Sequence, residues 1–178
     1  MSKEGTDINN IVNGCRNGNR QAQELLYKSF YRVMMNFCLR YTKNEMDAME
    51  VLNSGFYKVF KNIHQYDPDK ASLYTWIRTI IINNCLDFIR VKEKNMKAEE
   101  LDKVEEIELE PEIISKMKSV DLLEMIRQLP IATQTVFNLY VIEGYTHKEI
   151  GQRVGISEGT SKWHLSEARK ILKQLIQE

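Results

Sequence analysis

Near its end the chain runs Ser157-Glu158-Gly159-Thr160 and then sets Lys162, Trp163 and His164 side by side, followed by Ser166 and Glu167. These types suit contact with a polyanion. A lysine ammonium can bind phosphate or a guanine edge, and the hydroxyls of Thr160 and Ser166 can donate to phosphates. Trp163 and His164 can cover sugars and base edges, although Trp163 at helical spacing can equally tuck against its neighbours. Other chemistry finds little here. His147 and His164 lack a third ligand at metal spacing. The chain shows no nucleophile–base pair and no glycine-rich phosphate loop, so no catalytic residue, metal or cofactor is expected and the protein is not expected to be an enzyme.

Those side chains need a positioning frame, and the sequence supplies one. Thr146-His147-Lys148-Glu149 has the capping-box pattern and predicts a short helix over 147–153. Gly155 sits where a left-handed residue would end it. Ser157 then caps a second helix running from Glu158 to about Ile176. Ile150, Val154, Ile156 and Leu165 supply the packing between the two. This is a helix-turn-helix layout, in which the second helix lies in the major groove with its first turns facing base edges and phosphates. An ordinary helical hairpin with a polar outer face has the same spacing.

The rest of the chain predicts an all-α protein of two small helical domains. Helical periodicity runs through residues 7–17, 20–41 and, after a cap at Asn44, through Ala48, Val51, Leu52, Phe56, Val59, Phe60 and Ile63. Pro68 between two aspartates makes 64–72 a loop. Ser72 caps a further apolar helix. Residues 99–112 hold eight acids and one base, so the zero formal net charge of the whole chain hides a mildly basic remainder around an acidic segment. The expected division is 1–94, an acidic flexible linker over 95–118, and 119–178. No apolar run is long enough to span a bilayer, and MSKEGTDINN has no apolar signal region, so a cytoplasmic protein without membrane insertion is expected. Cys15, Cys38 and Cys85 are scattered and odd in number, which suits buried thiols in a reducing compartment.

The combination of LP at 129–130, VFNLY at 136–140, EGYTHKEI at 143–150, GISEGT at 155–160 and ARKIL at 168–172 resembles region 4 of bacterial sigma factors of the extracytoplasmic-function (ECF) type. The first half resembles region 2 of the same family. DAMEVLNSGFYKVF, from Asp47, looks like the segment that docks on the RNA polymerase clamp. YTWIRTIIINNCLDFIR, 74–90, looks like the segment that melts the downstream promoter element.

The resemblance implies a transcription initiation factor that binds core RNA polymerase, directs it to promoter DNA and assists strand opening, with an anti-sigma protein as regulator. It implies upstream-element contacts at Ser157, Thr160, Lys162, Trp163, His164, Ser166 and Glu167. It implies melting contacts at Tyr74, Trp76, Arg78, Asn83 and Arg90, with the loop 64–73 holding a flipped base. Docking falls to Asp47, Glu50 and Asn53. Trp76 also reads as a core residue, and Asn83 as a satisfied polar group between helices. The linker reads either as occupant of a basic channel or as a self-repelling spacer.

There are departures from the family pattern. Met49, Asn53 and Ser54 stand where the family carries more acids and a glutamine. Ser161 replaces an inward valine, and Glu167 a basic residue; a glutamate there would repel phosphate or accept from cytosine N4. A stand-alone helix-turn-helix regulator and a sigma-like decoy are the rival readings.

Overall fold

A computed structural model describes residues 3–92 and 119–177. All regular structure among them is helical. Two compact units are present: one holds the residues up to 38 together with 44–85, and the other holds 39–43 and the residues from 86 onward. The predicted linker, 95–118, lies outside the described residues.

The first unit contains helices α1 (Lys3–Arg16), α2 (Arg20–Tyr41), α3 (Glu45–Asn62) and most of α4 (Leu73–Lys92). The turn between α1 and α2 uses Gly18 at φ 72°, and Asn19 caps α2 by accepting from the Ala22 amide at 3.1 Å. A Cβ on Gly14 would stand 2.6 Å from that of Ala22, so glycine lets α1 approach α2 closely. Asn44 caps α3, its Oδ1 accepting from the Asp47 amide at 2.8 Å. The apolar stripes expected from periodicity converge: Val12, Leu26, Met34, Ala48, Val51, Leu52, Phe56, Ile77, Ile81 and Cys85 are buried. Cys15 and Cys38 are buried free thiols as well.

The second unit contains α5 (Ser119–Gln128), α6 (Ile131–Phe137), α7 (His147–Val154) and α8 (Glu158–Gln177). The helix expected over 131–143 is α-helical only to Phe137. Asn138–Ile142 then widens into a π turn, and Gly144 at φ 76° reverses the chain. Val136, Phe137, Leu139, Ile150, Leu165, Ala168 and Leu172 form its apolar core.

Candidate nucleic-acid interface

The helix-turn-helix is built largely from backbone caps. Thr146 Oγ1 accepts from the Glu149 amide at 3.3 Å, and Glu149 Oε2 accepts from the Thr146 amide at 2.8 Å. The Thr146 amide and then its hydroxyl, each donating to Glu149 Oε2 at 2.8 Å, hold the Glu149 carboxyl below its usual range. Gly155 closes α7 at φ 85°, with its amide and that of Ile156 both donating to Gly151 O, at 2.9 and 3.1 Å. Gly151 is needed for a different reason. A Cβ there would meet the Ile156 carbonyl oxygen at 2.7 Å, so only glycine lets the turn fold back this tightly. Ser157 Oγ then accepts from the Thr160 amide at 3.0 Å and starts α8.

Helix α8 sorts its side chains by phase. Lys162 is exposed and ion-paired with Glu158 at 3.0 Å. Thr160, Trp163, Ser166 and Glu167 are half-buried, and Thr160 Oγ1 lies 2.8 Å from Ser157 Oγ. Ser161, His164, Leu165, Ala168 and Leu172 are buried and face inward. This corrects the expectation for His164. At 6% exposure it covers no base edge. Its Nδ1 pairs with Thr133 Oγ1 at 3.1 Å across the core, and burial lowers its pKa to about 4, so the ring is neutral. The physical reason is spacing: three residues after buried Ser161 and four before buried Ala168, position 164 falls on the core-facing side. Trp163 meets the His164 ring edge-on at 4.8 Å, so it tucks against its neighbour and still keeps a partly exposed face.

The first unit presents two outward faces. On α4, Ser72 Oγ accepts from the Thr75 amide at 3.2 Å. The preceding loop is ordered by Asp67, whose Oδ1 accepts from the Asp69 amide at 3.0 Å. Tyr66 is buried and packs on half-buried Trp76, with centroids 5.5 Å apart. Tyr74 and Asn83 are both exposed. Nine residues of α-helix turn through about 900°, so these two lie on opposite sides of α4. Trp76, Thr79 and Asn83 share the other side. Arg78 is half-buried, its guanidinium 5.4 Å from the Phe37 ring centroid. On the last turns of α4, which belong to the second unit, Arg90 is exposed and pairs with Asp87 at 3.3 Å. The buried asparagine is the next residue: Asn84 Nδ2 donates to Val51 O at 2.8 Å and to Ser54 Oγ at 2.6 Å, locking α4 to α3.

On α3, Glu50 and Asn53 are exposed, and Asn53 Oδ1 accepts from Tyr27 Oη at 2.9 Å. Asp47 is half-buried, its Oδ2 accepting from Asn44 Nδ2 at 3.0 Å in the helix cap. Met46 and Tyr57 are 84% and 67% exposed. With Glu50 and Asn53 they fall at steps of four, three and four, which makes one outward stripe.

Comparison with known proteins follows the same division. Residues 26–95 match the model for sigma-70 region 2, and residues 119–172 match that for sigma-70 region 4. The chain is 26% identical over 162 residues to the ECF RNA polymerase sigma factor SigE of Mycolicibacterium smegmatis. That alignment covers 88% of this chain and 59% of the relative. It is 21% identical to the ECF RNA polymerase sigma-E factor of Haemophilus influenzae, with 99% and 98% covered.

The chain belongs to the ECF sigma factors.

Its fold is similar to that of the sigma factor RpoE of Bartonella quintana, solved with the anti-sigma factor NepR. The TM-score is 0.53 at 16% identity, over 86% of this chain and 96% of that one. In region 2 of this sigma factor, the exposure of Met46 and Tyr57 beside Glu50 and Asn53 was not singled out from the sequence, although their spacing was the available signal. In region 4 it missed the partner of Ser161. The His147 Nδ1 to Ser161 Oγ bond of 2.9 Å joins residues whose separation along the chain gives no hint of contact.

Proposed function

We infer that this protein is a transcription initiation factor of the cytoplasm that binds core RNA polymerase, directs it to promoters and assists strand opening without catalysing a reaction itself. The observation that carries this reading is the pairing of both sigma regions in one chain. A helix-turn-helix regulator working alone needs a ligand or dimer domain in place of region 2.

The division of labour follows from the faces. Ser157, Thr160, Lys162, Trp163, Ser166 and Glu167 present α8 to the upstream element. On α4, Trp76, Asn83 and Arg90 fall on one side and serve the melted strand, with the Trp76 ring receiving an unstacked base, whereas Tyr74 and Arg78 fall on the other side and do not join them. Asp47, Glu50 and Asn53 dock on polymerase, together with Met46 and Tyr57 on the same stripe. The functional boundaries are 1–94 and 119–178 with the acidic segment 95–118 between them, and an anti-sigma protein is the regulator.

The test is co-purification of core polymerase subunits with the full chain, followed by mapping of the genomic sites the complex occupies. Recovery of polymerase at sites sharing two spaced elements is expected. Occupancy without polymerase would establish the stand-alone regulator instead.

A further inference from the structure

We propose that His147 and Ser161 act as a positioning pair that sets how α8 is presented to DNA. This rests on the reading of α8 as the upstream-element reader. Ser161 is fully buried on the inner side of α8, in a phase otherwise filled by Leu165, Ala168 and Leu172. A buried hydroxyl without a partner is costly. His147, the first residue of α7, supplies the partner at 2.9 Å. Its ring is fixed from a third element by stacking on Tyr140 of the π turn, centroids 4.4 Å apart and planes 21° apart. The bond therefore runs from the π turn through the start of α7 to the second turn of α8. Ser161 immediately precedes Lys162, so any shift of Ser161 moves the side chains that reach bases.

A polar bond constrains this junction more sharply than an apolar contact would, because its strength falls steeply with angle and distance. The ring is half-buried, and its pKa is lowered by burial first and then by the cations of Lys162 and Arg169, against which Glu158 acts. Its ordinary state is the neutral ring. The pair acts through Lys162 and its neighbours and needs no contact of its own with DNA.

The test uses full-length protein with core polymerase and selection from a randomised duplex DNA library. His147→Ala and Ser161→Ala are each expected to lower affinity for the wild-type selected sequence about 10-fold, with affinity for unrelated duplex unchanged. The double variant is expected to lose no more than either single variant, since both remove one bond. His147→Asn, whose amide can reproduce the Nδ1 contact, is expected to restore most of the affinity.

An unchanged affinity in His147→Ala, with Lys162→Ala still impaired, would overturn the pair and leave α8 as the reader. If Lys162→Ala is also without effect, the reading of α8 fails and the pair with it. Equal losses on selected and unrelated DNA, with reduced helicity and no rescue by Asn, would make the bond merely structural and overturn the proposal.

Discussion

In region 2 the Asn84 amide ties α4 to α3 amid apolar neighbours: Ile81 packs over Gly55, where an added Cβ would meet its Cδ1 at 2.5 Å. In region 4 two imidazoles and two hydroxyls tie α8 to the helices before it, His164 to Thr133 and His147 to Ser161. The difference separates two ways of carrying function. In region 2 the residues proposed to work, Glu50, Asn53 and Asn83, stand on outward faces. Region 4 places two polar groups of α8, Ser161 and His164, inside its core, so folding there is linked to pH.

The largest effect is expected outside the fold of region 2. Reversing both Asp47 and Glu50 to lysine should abolish binding to core polymerase in a pull-down. Asp47 also sits in the α3 cap, and losing that interaction costs about 1 kcal/mol, so helicity by circular dichroism should persist. Retained polymerase binding would put the docking face elsewhere.

Next comes acid sensitivity, which should mark region 4. Folded His164 titrates at about 4 against about 6.5 for an unfolded histidine. As pH falls, the unfolded chain takes the proton first. Stability therefore drops below about pH 6.5 and the loss is complete near pH 4, on the order of 3 kcal/mol in all. Thermal melts of wild type and His164→Leu between pH 7.5 and 4.5 should diverge accordingly. Parallel curves would show that His164 is not buried neutral.

The adjacent asparagines sharpen the comparison within one helix turn. Asn84→Ala removes two hydrogen bonds from the α3–α4 contact and should destabilise the protein by about 1–3 kcal/mol. Asn83→Ala should change stability by less than about 0.5 kcal/mol while weakening permanganate-detected strand opening. A reversed order in chemical denaturation would exchange their roles.

The smallest effect is set by the ion pair of Lys162 with Glu158. Exposed pairs contribute about 0–1 kcal/mol, so Lys162→Ala should leave the melting temperature nearly unchanged. Its DNA affinity should fall by about 1–3 kcal/mol if it contacts a base. If it contacts phosphate, the salt slope should flatten by about one ion.

Signals carried by neighbouring residues were legible in the sequence. The Thr146–Glu149 capping box, the Ser157 and Asn44 caps and the left-handed Gly155 all appear as read. The apolar stripes of α3 and α4 located the core. Phase within a run of large side chains was not legible. Trp163, His164 and Leu165 are consecutive, and whether His164 faces in or out depends on which rotation buries Ser161, a polar residue in an apolar slot. The same holds for Asn83 and Asn84, which differ by one 100° step of helix. Contacts between distant residues, such as His147 with Ser161 and Thr133 with His164, leave no local trace. The π turn at Asn138–Ile142 likewise has no glycine or proline within it to announce it.

The most direct test of the whole account is run-off transcription with core polymerase on a promoter fragment taken from the mapped sites. The account predicts a transcript of defined length only when the full chain is added, lost in the Asp47→Lys/Glu50→Lys variant. It also predicts a reduced transcript for Asn83→Ala, with binding to the upstream element retained. A folded chain that binds polymerase and promoter DNA yet gives no transcript above core polymerase alone would contradict it.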